Sequence, residues 1–303
     1  MIDVHGPYAV RRLVLRLVLL VLALIVLAVP MTGPAAAQQG SDTRPRLLVL
    51  SDIGGGDPDD EQSFVRLLTY ANEFDIEGII ASSDLGWGGD YGTHPEYYSD
   101  IINQYGEVYD NLVLHDPNFP TERELLSLVR SGMDRAHPNH DPLETIGPDK
   151  DTPGSNWIIE VVDRADSRPL NVLVWGGPAD LAQALWRVRN DRTQAALDTF
   201  VAKLRVYDIA AQDSTSQWIR DTFPQLYYIL NLYPPDKFQS VYRGMSLGGD
   251  PSLASRNWVN TNIRNDHGPL GARYPEDGAA VEGLKEGDTP SFYFFLPYGL
   301  NHP

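Results

Sequence analysis

Along this chain, short and nearly continuous apolar runs alternate with longer amphipathic stretches. The runs Arg46–Asp52, Ile76–Ser82, Asn111–His115, Leu170–Trp175, Leu204–Ile209 and Leu226–Leu230 read as buried strands. The stretches Asp60–Ala71, Tyr97–Tyr105, Glu122–Ser131, Asn156–Ala165, Ala179–Asn190 and Gln217–Thr222 place apolar residues at helical spacing. Strands apolar on both faces, alternating with helices, predict an α/β fold: a Rossmann-like open, mostly parallel sheet with helices on both faces. Gly176-Gly177-Pro178 leads into the helix at Ala179, where the proline start and Asp180 in the first turn both suit a helix N-terminus. Residues 134–155 and 231–290 are rich in Pro, Gly, Asn and Asp and read as long loops. No internal repeat or low-complexity block interrupts the pattern.

The first 37 residues break it. Arg11, Arg12 and Arg16 precede and enter an apolar run from Leu13 to Val29; Pro30, Gly33 and Pro34 end it, and Ala35-Ala36-Ala37 offers a cleavage site. A signal peptide over 1–37 is expected, then a polar leader over 38–44 and one domain over 45–303. The expected location is secreted or periplasmic, with no membrane association after cleavage.

The richest chemistry follows the first strand. Its apolar residues end on Asp52, a glycine turn runs from Gly54 to Gly56, and Asp57, Asp59, Asp60 and Glu61 come at the start of the next helix. In open α/β sheets ligands sit outside the carboxyl ends of the strands. Carboxylates crowded there repel unless a cation neutralises them, and hard oxygens on a flexible turn suit Ca²⁺. A plainer reading makes Asp59 the helix N-cap and Gln62 its capping-box partner. That reading leaves Asp52 and the three glycines without a role.

Net charge is −17 and cysteine is absent. The targeting segment carries three arginines and one aspartate, so its removal leaves a still more acidic body. Such a body repels nucleic-acid backbones and anionic lipid. Disulfides and thiolate chemistry are excluded. Gly54-Gly55-Gly56 lacks the Lys-Ser/Thr of a phosphate loop, and His137-x-x-His140 lacks a third zinc ligand.

Ser51-Asp52-Ile53-Gly54 with Pro58-Asp59-Asp60-Glu61-Gln62-Ser63 resembles the acidic fingerprint of nucleoside hydrolases. Val174-Trp175-Gly176-Gly177-Pro178-Ala179-Asp180, Lys203-Leu204-Arg205-Val206-Tyr207, His267-Gly268-Pro269-Leu270-Gly271 and Glu286-Gly287-Asp288-Thr289-Pro290-Ser291-Phe292 are similar to a secreted branch of that fold. That branch comprises the nucleoside hydrolase-like proteins related to a bacterial cellulose-binding protein. The resemblance implies a Ca²⁺ site formed by Asp52, Asp60, the carbonyl of Trp175 and a late aspartate, Asp288 or its rival Asp266. It implies that Asp52 also acts as general base and that Asp59 holds a sugar hydroxyl. Gly55, Gly56 and Asp57 lengthen the turn relative to the parent enzymes, so Asp57 is an alternative sugar ligand. The parent enzymes have a His-Asp pair at the last ligand, whereas Gly287 precedes Asp288 here.

Glycosidic hydrolysis passes through an oxocarbenium-like sugar, and departure of a base needs a proton donor. His267 is the candidate acid; as a loop histidine it is equally suited to bonding backbone. Trp87 and Trp218 are candidate stacking surfaces, as are Trp175 and Trp258, although such aromatics also serve as core. Asp84 lies in the same loop as Trp87 and is either a sugar ligand or a turn residue. The expected function is a Ca²⁺-dependent hydrolase of N-ribosyl or other glycan bonds; the alternative is a non-catalytic carbohydrate-binding protein, with cellulose as one ligand. A sugar or nucleoside is the expected partner, and a homo-oligomer is compatible with the sequence.

Overall fold

The computed structural model describes residues 43–84, 90–136, 139–232, 250–278 and 281–299. The chain divides into two units, Met1–Thr43 and Arg44–Pro303, and every element below belongs to the second. The expected signal peptide, Trp87 and His137 lie outside the described residues. Among the described residues no helix is long and apolar enough to cross a membrane.

The strands are β1 (Arg46–Ser51), β2 (Asp75–Ala81), β3 (Val129–Ser131), β4 (Leu170–Val174), β5 (Leu204–Ile209) and β6 (Tyr227–Asn231). They form one six-stranded sheet in the order β3-β2-β1-β4-β5-β6, with every neighbouring pair parallel. The principal helices are α1 (Asp59–Leu68), α2 (Pro95–Gly106), α3 (Tyr109–His115), α4 (Glu122–Leu126), α5 (Pro142–Thr145), α6 (Pro153–Asp163), α7 (Ala179–Asp191), α8 (Gln194–Ala202), α9 (Thr215–Thr222), α10 (Arg256–Val259), α11 (Gly268–Arg273) and α12 (Thr289–Tyr293).

Strand β1 shows why the sheet is covered twice. Leu47 and Val49 pack with Phe64, Tyr98, Ile102 and Phe292 of α1, α2 and α12. Leu48 and Leu50 point the other way and pack with Ile158, Leu181, Leu185 and Val201 of α6, α7 and α8. All four are fully buried, and each such side chain contributes roughly 1.5–3 kcal/mol by leaving water. The open, mostly parallel sheet with helices on both faces agrees with the expectation from sequence.

Several elements differ from that expectation, among them the short helices α5, α10 and α11, which lie in stretches read as loops. Asn111–His115 is helical, within α3, because Val108, Tyr109, Leu112 and Val113 lean on the core at helical spacing while Leu114 stays 83% exposed. The expected helix Glu122–Ser131 ends at Leu126, and Val129–Ser131 becomes the edge strand beside Ile79–Ala81. Helix α8 was not expected; Thr193 caps it by accepting from the Ala196 amide.

The strand order reverses between β1 and β4, which are hydrogen-bonded neighbours. A crevice opens at the carboxyl ends of strands at such a switch point. Asp52 leaves β1 there, and Trp175 and Gly176 leave β4 beside it.

Candidate metal centre

The turn between β1 and α1 is held by Asp60. Its Oδ1 accepts from the Ser51 hydroxyl at 2.7 Å and from the Asp52 amide at 3.1 Å. Tyr98 of α2 locks the same strand end, donating to the Ser51 carbonyl at 2.6 Å and accepting from the Ile53 amide at 3.1 Å. The capping-box reading fails: Pro58 is the N-cap residue, no side chain caps the helix, and Asp59 is its first residue.

Gln62 turns instead to a distant segment. Its amide donates to the carbonyls of Pro275 and Gly283, and its oxygen accepts from the amides of Lys285 and Glu286. Ser63 continues the clamp, accepting from the amides of Asp288 and Thr289. Glu286, held at a positive φ of 44°, takes Arg66, Tyr274 and Thr289 onto its carboxylate. These bonds carry Asp288 to the N-terminal end of α1.

The result is a cluster. Asp59, Asp60 and Asp288 offer carboxylate oxygens that all lie within 4.8 Å of one another. Asp288 is 1% exposed, and its buried Oδ2 has no hydrogen-bond partner. Asp52 adjoins the cluster. Burial, and then the charge of Asp60, push its carboxyl well above the usual range. Asp288 is raised well above that range by burial and by the charges of Asp60, Asp59 and Asp52. Asp59 is pushed up to about 7 by burial, Asp60 and Asp57, with Lys285 opposing. Lys285 offsets only part of this, so the cluster as a whole holds more negative than positive charge.

Backbone closes in on the cluster. A Cβ on Gly176 would meet the Asp52 carboxyl carbon at 2.5 Å, and one on Gly287 would meet the Asp59 carboxylate. The Trp175 carbonyl accepts from the Gln212 side chain, while its indole is fully buried and donates to Ser291 at 2.8 Å. The donors are therefore hard oxygens, one of them orphaned in the interior. That fits an oxygen-preferring divalent cation such as Ca²⁺.

Other expected site residues lie elsewhere. His267 is exposed and bonds the Asn265 carbonyl. The next residue, Gly268, sits against Val108 beyond the C-terminal end of α2. Helix α2 is about 18 Å long at 1.5 Å per residue, and its opposite end faces the turn after Asp52. His267 is thus remote from the cluster, and the acid role expected of it is not carried forward. Asp266 is exposed as well. Trp218 is half-buried and packs edge-on against Phe223 at 5.7 Å, beside the apolar layer on the opposite face of the sheet. Asp84 is 2% exposed and accepts from the amides of Asp90 and Tyr91, which is the geometry of a turn.

His94 joins the site through the fold. It precedes α2, its ring packs on the backbone of Gly54, and its Nε2 lies 3.5 Å from carboxylate oxygens of Asp84 and Asp90. Tyr97 stacks on it with centroids 5.0 Å apart. Of the described histidines it is the one packed on the strand-end turn, a placement that spacing alone does not reveal. Beside it, Gly54, Gly55, Gly56, Asp57, Glu61, Tyr97 and Arg273 line a cavity of about 500 Å³.

The model of a family described as "Cellulose-binding Sde182, nucleoside hydrolase-like domain" matches residues 46–303. The chain belongs to this family. Within the nucleoside hydrolase-like fold, a structure from Saccharophagus degradans, described as a nucleoside hydrolase-related protein associated with carbohydrate metabolism, is 38% identical with a TM-score of 0.69. The match covers 84% of this chain and 55% of that one, so this chain spans little more than half of its length. An inosine-uridine preferring nucleoside hydrolase from Bacillus anthracis is 12% identical, with a TM-score of 0.46, over 82% of this chain and 81% of that one. The type III effector XopQ, solved with adenosine diphosphate ribose, is 14% identical, with a TM-score of 0.47, over 84% and 82%. Among curated proteins, none matches the chain.

Proposed function

We propose that the protein is a secreted, Ca²⁺-dependent hydrolase of glycosidic bonds, N-ribosyl or in another glycan. The observation that carries this is the convergence of Asp59, Asp60 and Asp288 within 4.8 Å beside Asp52, with a buried Asp288 oxygen left unbonded. Asp52, Asp60, Asp288 and the Trp175 carbonyl would hold the ion, leaving Asp59 to the sugar. When bound, Ca²⁺ supplies positive charge that orients water and sugar hydroxyls and lowers the carboxyl pKa values.

The residues do the rest. Asp52, once ionised, takes a proton from the attacking water, a contribution of about 10²–10⁴-fold for a well-placed base. Asp59, and Asp57 beside it, accept from sugar hydroxyls. His94, on the rim of the turn, is the described histidine placed to protonate a departing group. The family's description and the Saccharophagus relative support a carbohydrate ligand, such as a polysaccharide or nucleoside sugar. Release of reducing sugar from inosine, uridine and plant-wall oligosaccharides tests the reading. Turnover that disappears in Asp52→Asn is expected; no turnover on any of these substrates counts against it.

A second reading is a carbohydrate-binding protein that retains the fold without catalysis. It is favoured by Gly287, which stands where the parent enzymes carry histidine, and by the remoteness of His267. Retention on insoluble cellulose that survives chelation and Asp52→Ala would select it.

A further inference from the structure

Lys285 is an unusual neighbour for a cation site. Its side chain is 8% exposed, and its Nζ pairs with Asp57 and lies 3.1 Å from Asp59 Oδ2. Asp59 is at the same time a member of the carboxylate cluster. An ammonium so deeply placed is tolerated only beside its anions. Two constraints keep it there. Gln62 holds the Lys285 amide at 2.7 Å, and Asp57 comes from the Gly55-Gly56-Asp57 extension of the turn. The extension adds one negative charge, Lys285 adds one positive, and the pair cancels at the edge of the cluster.

We propose that Lys285 is a positioning residue, a tethered counter-ion that steadies Asp57 and Asp59 and competes with the divalent ion for the field of Asp59. The inference rests on the cation reading above and deepens it. Removing the ammonium leaves the carboxylates less balanced without metal and more attractive to it. Asp57 acts in the opposite sense, by drawing Lys285 away from Asp59. A lysine that served only as packing would lower stability without strengthening metal binding.

Calorimetric titration of CaCl₂ into the full chain tests this, with Lys285→Met, Asp57→Asn and the double substitution, alongside melting in chelator. A unit charge a few ångströms away is expected to change affinity by about tenfold. Lys285→Met should bind Ca²⁺ about tenfold more tightly while melting lower in chelator. Asp57→Asn should bind about tenfold more weakly, and the double variant should return near the parent value. Should Lys285→Met not fold, the weakening in Asp57→Asn and the retention of parent affinity in Lys285→Arg still decide the matter. Unchanged or weaker binding in Lys285→Met overturns the inference alone; a parent protein that takes up no Ca²⁺ overturns the cation reading with it.

Discussion

Ser51 and Asp60 join the last residue of the first strand to the first turn of the first helix: the hydroxyl donates to the carboxylate at 2.7 Å, in the interior. This bond occupies one oxygen of Asp60 and leaves the other for the cluster. Ser51→Ala removes a bond to a charged acceptor, worth about 1.5–3 kcal/mol. Unfolding in denaturant should show a loss of that size. Calcium affinity should fall about tenfold, as when partners behind metal ligands are removed.

Gly176 lies against Asp52, and an added methyl would meet the carboxyl carbon at 2.5 Å. Aspartate is too short to swing clear without leaving the crevice. Gly176→Ala should cost about 1–3 kcal/mol of stability from overpacking and weaken Ca²⁺ binding about 10- to 100-fold. Denaturant unfolding and calorimetry separate the two effects.

Gln62 makes four hydrogen bonds to backbone groups of the segment that brings in Asp288. Gln62→Leu keeps much of the volume and orphans all four partners, each at about 1–3 kcal/mol where water cannot reach. A loss of at least about 3 kcal/mol in denaturant unfolding is expected, with loss of Ca²⁺ uptake even where the protein stays folded.

The first strand and the acidic turn were legible in the sequence because the residues that matter are contiguous: a buried run ending on Asp52, glycines, then Asp59 and Asp60. Asp288 was reached through family resemblance, and its delivery by Gln62 and Ser63 was not, because those bonds join residues more than 220 positions apart. Lys285 escaped notice for the same reason, since 228 positions separate it from Asp57. The misread element at Asn111–His115 is a short apolar run, which suits strand or helix equally until its neighbours are known. His94 was not legible, because nothing in its loop signals that its ring lies on Gly54.

Stability of the metal-free protein should fall as pH rises. Asp59 sits at about 7, and Asp180 and Asp213, both buried, are pushed up to about 6. Each keeps in the folded state a proton that the unfolded chain releases near pH 4, so its stabilisation is complete below that value and is lost as pH passes 6 to 7. In chelator, the melting temperature should drop between pH 5 and pH 8. Saturating Ca²⁺ should remove most of the Asp59 share of that drop, because a bound cation favours the ionised carboxylates and is taken up more tightly as they lose protons. A melting temperature that climbs over this range in chelator would contradict the account.

The most direct measurement is an anomalous difference map from a crystal grown with calcium. A peak is predicted between the carboxylates of Asp52, Asp60 and Asp288, with oxygen ligands at about 2.3–2.6 Å. Those three side chains turned away from one another, with no density between them, would contradict the claim that a divalent ion gathers them at the edge of the sheet.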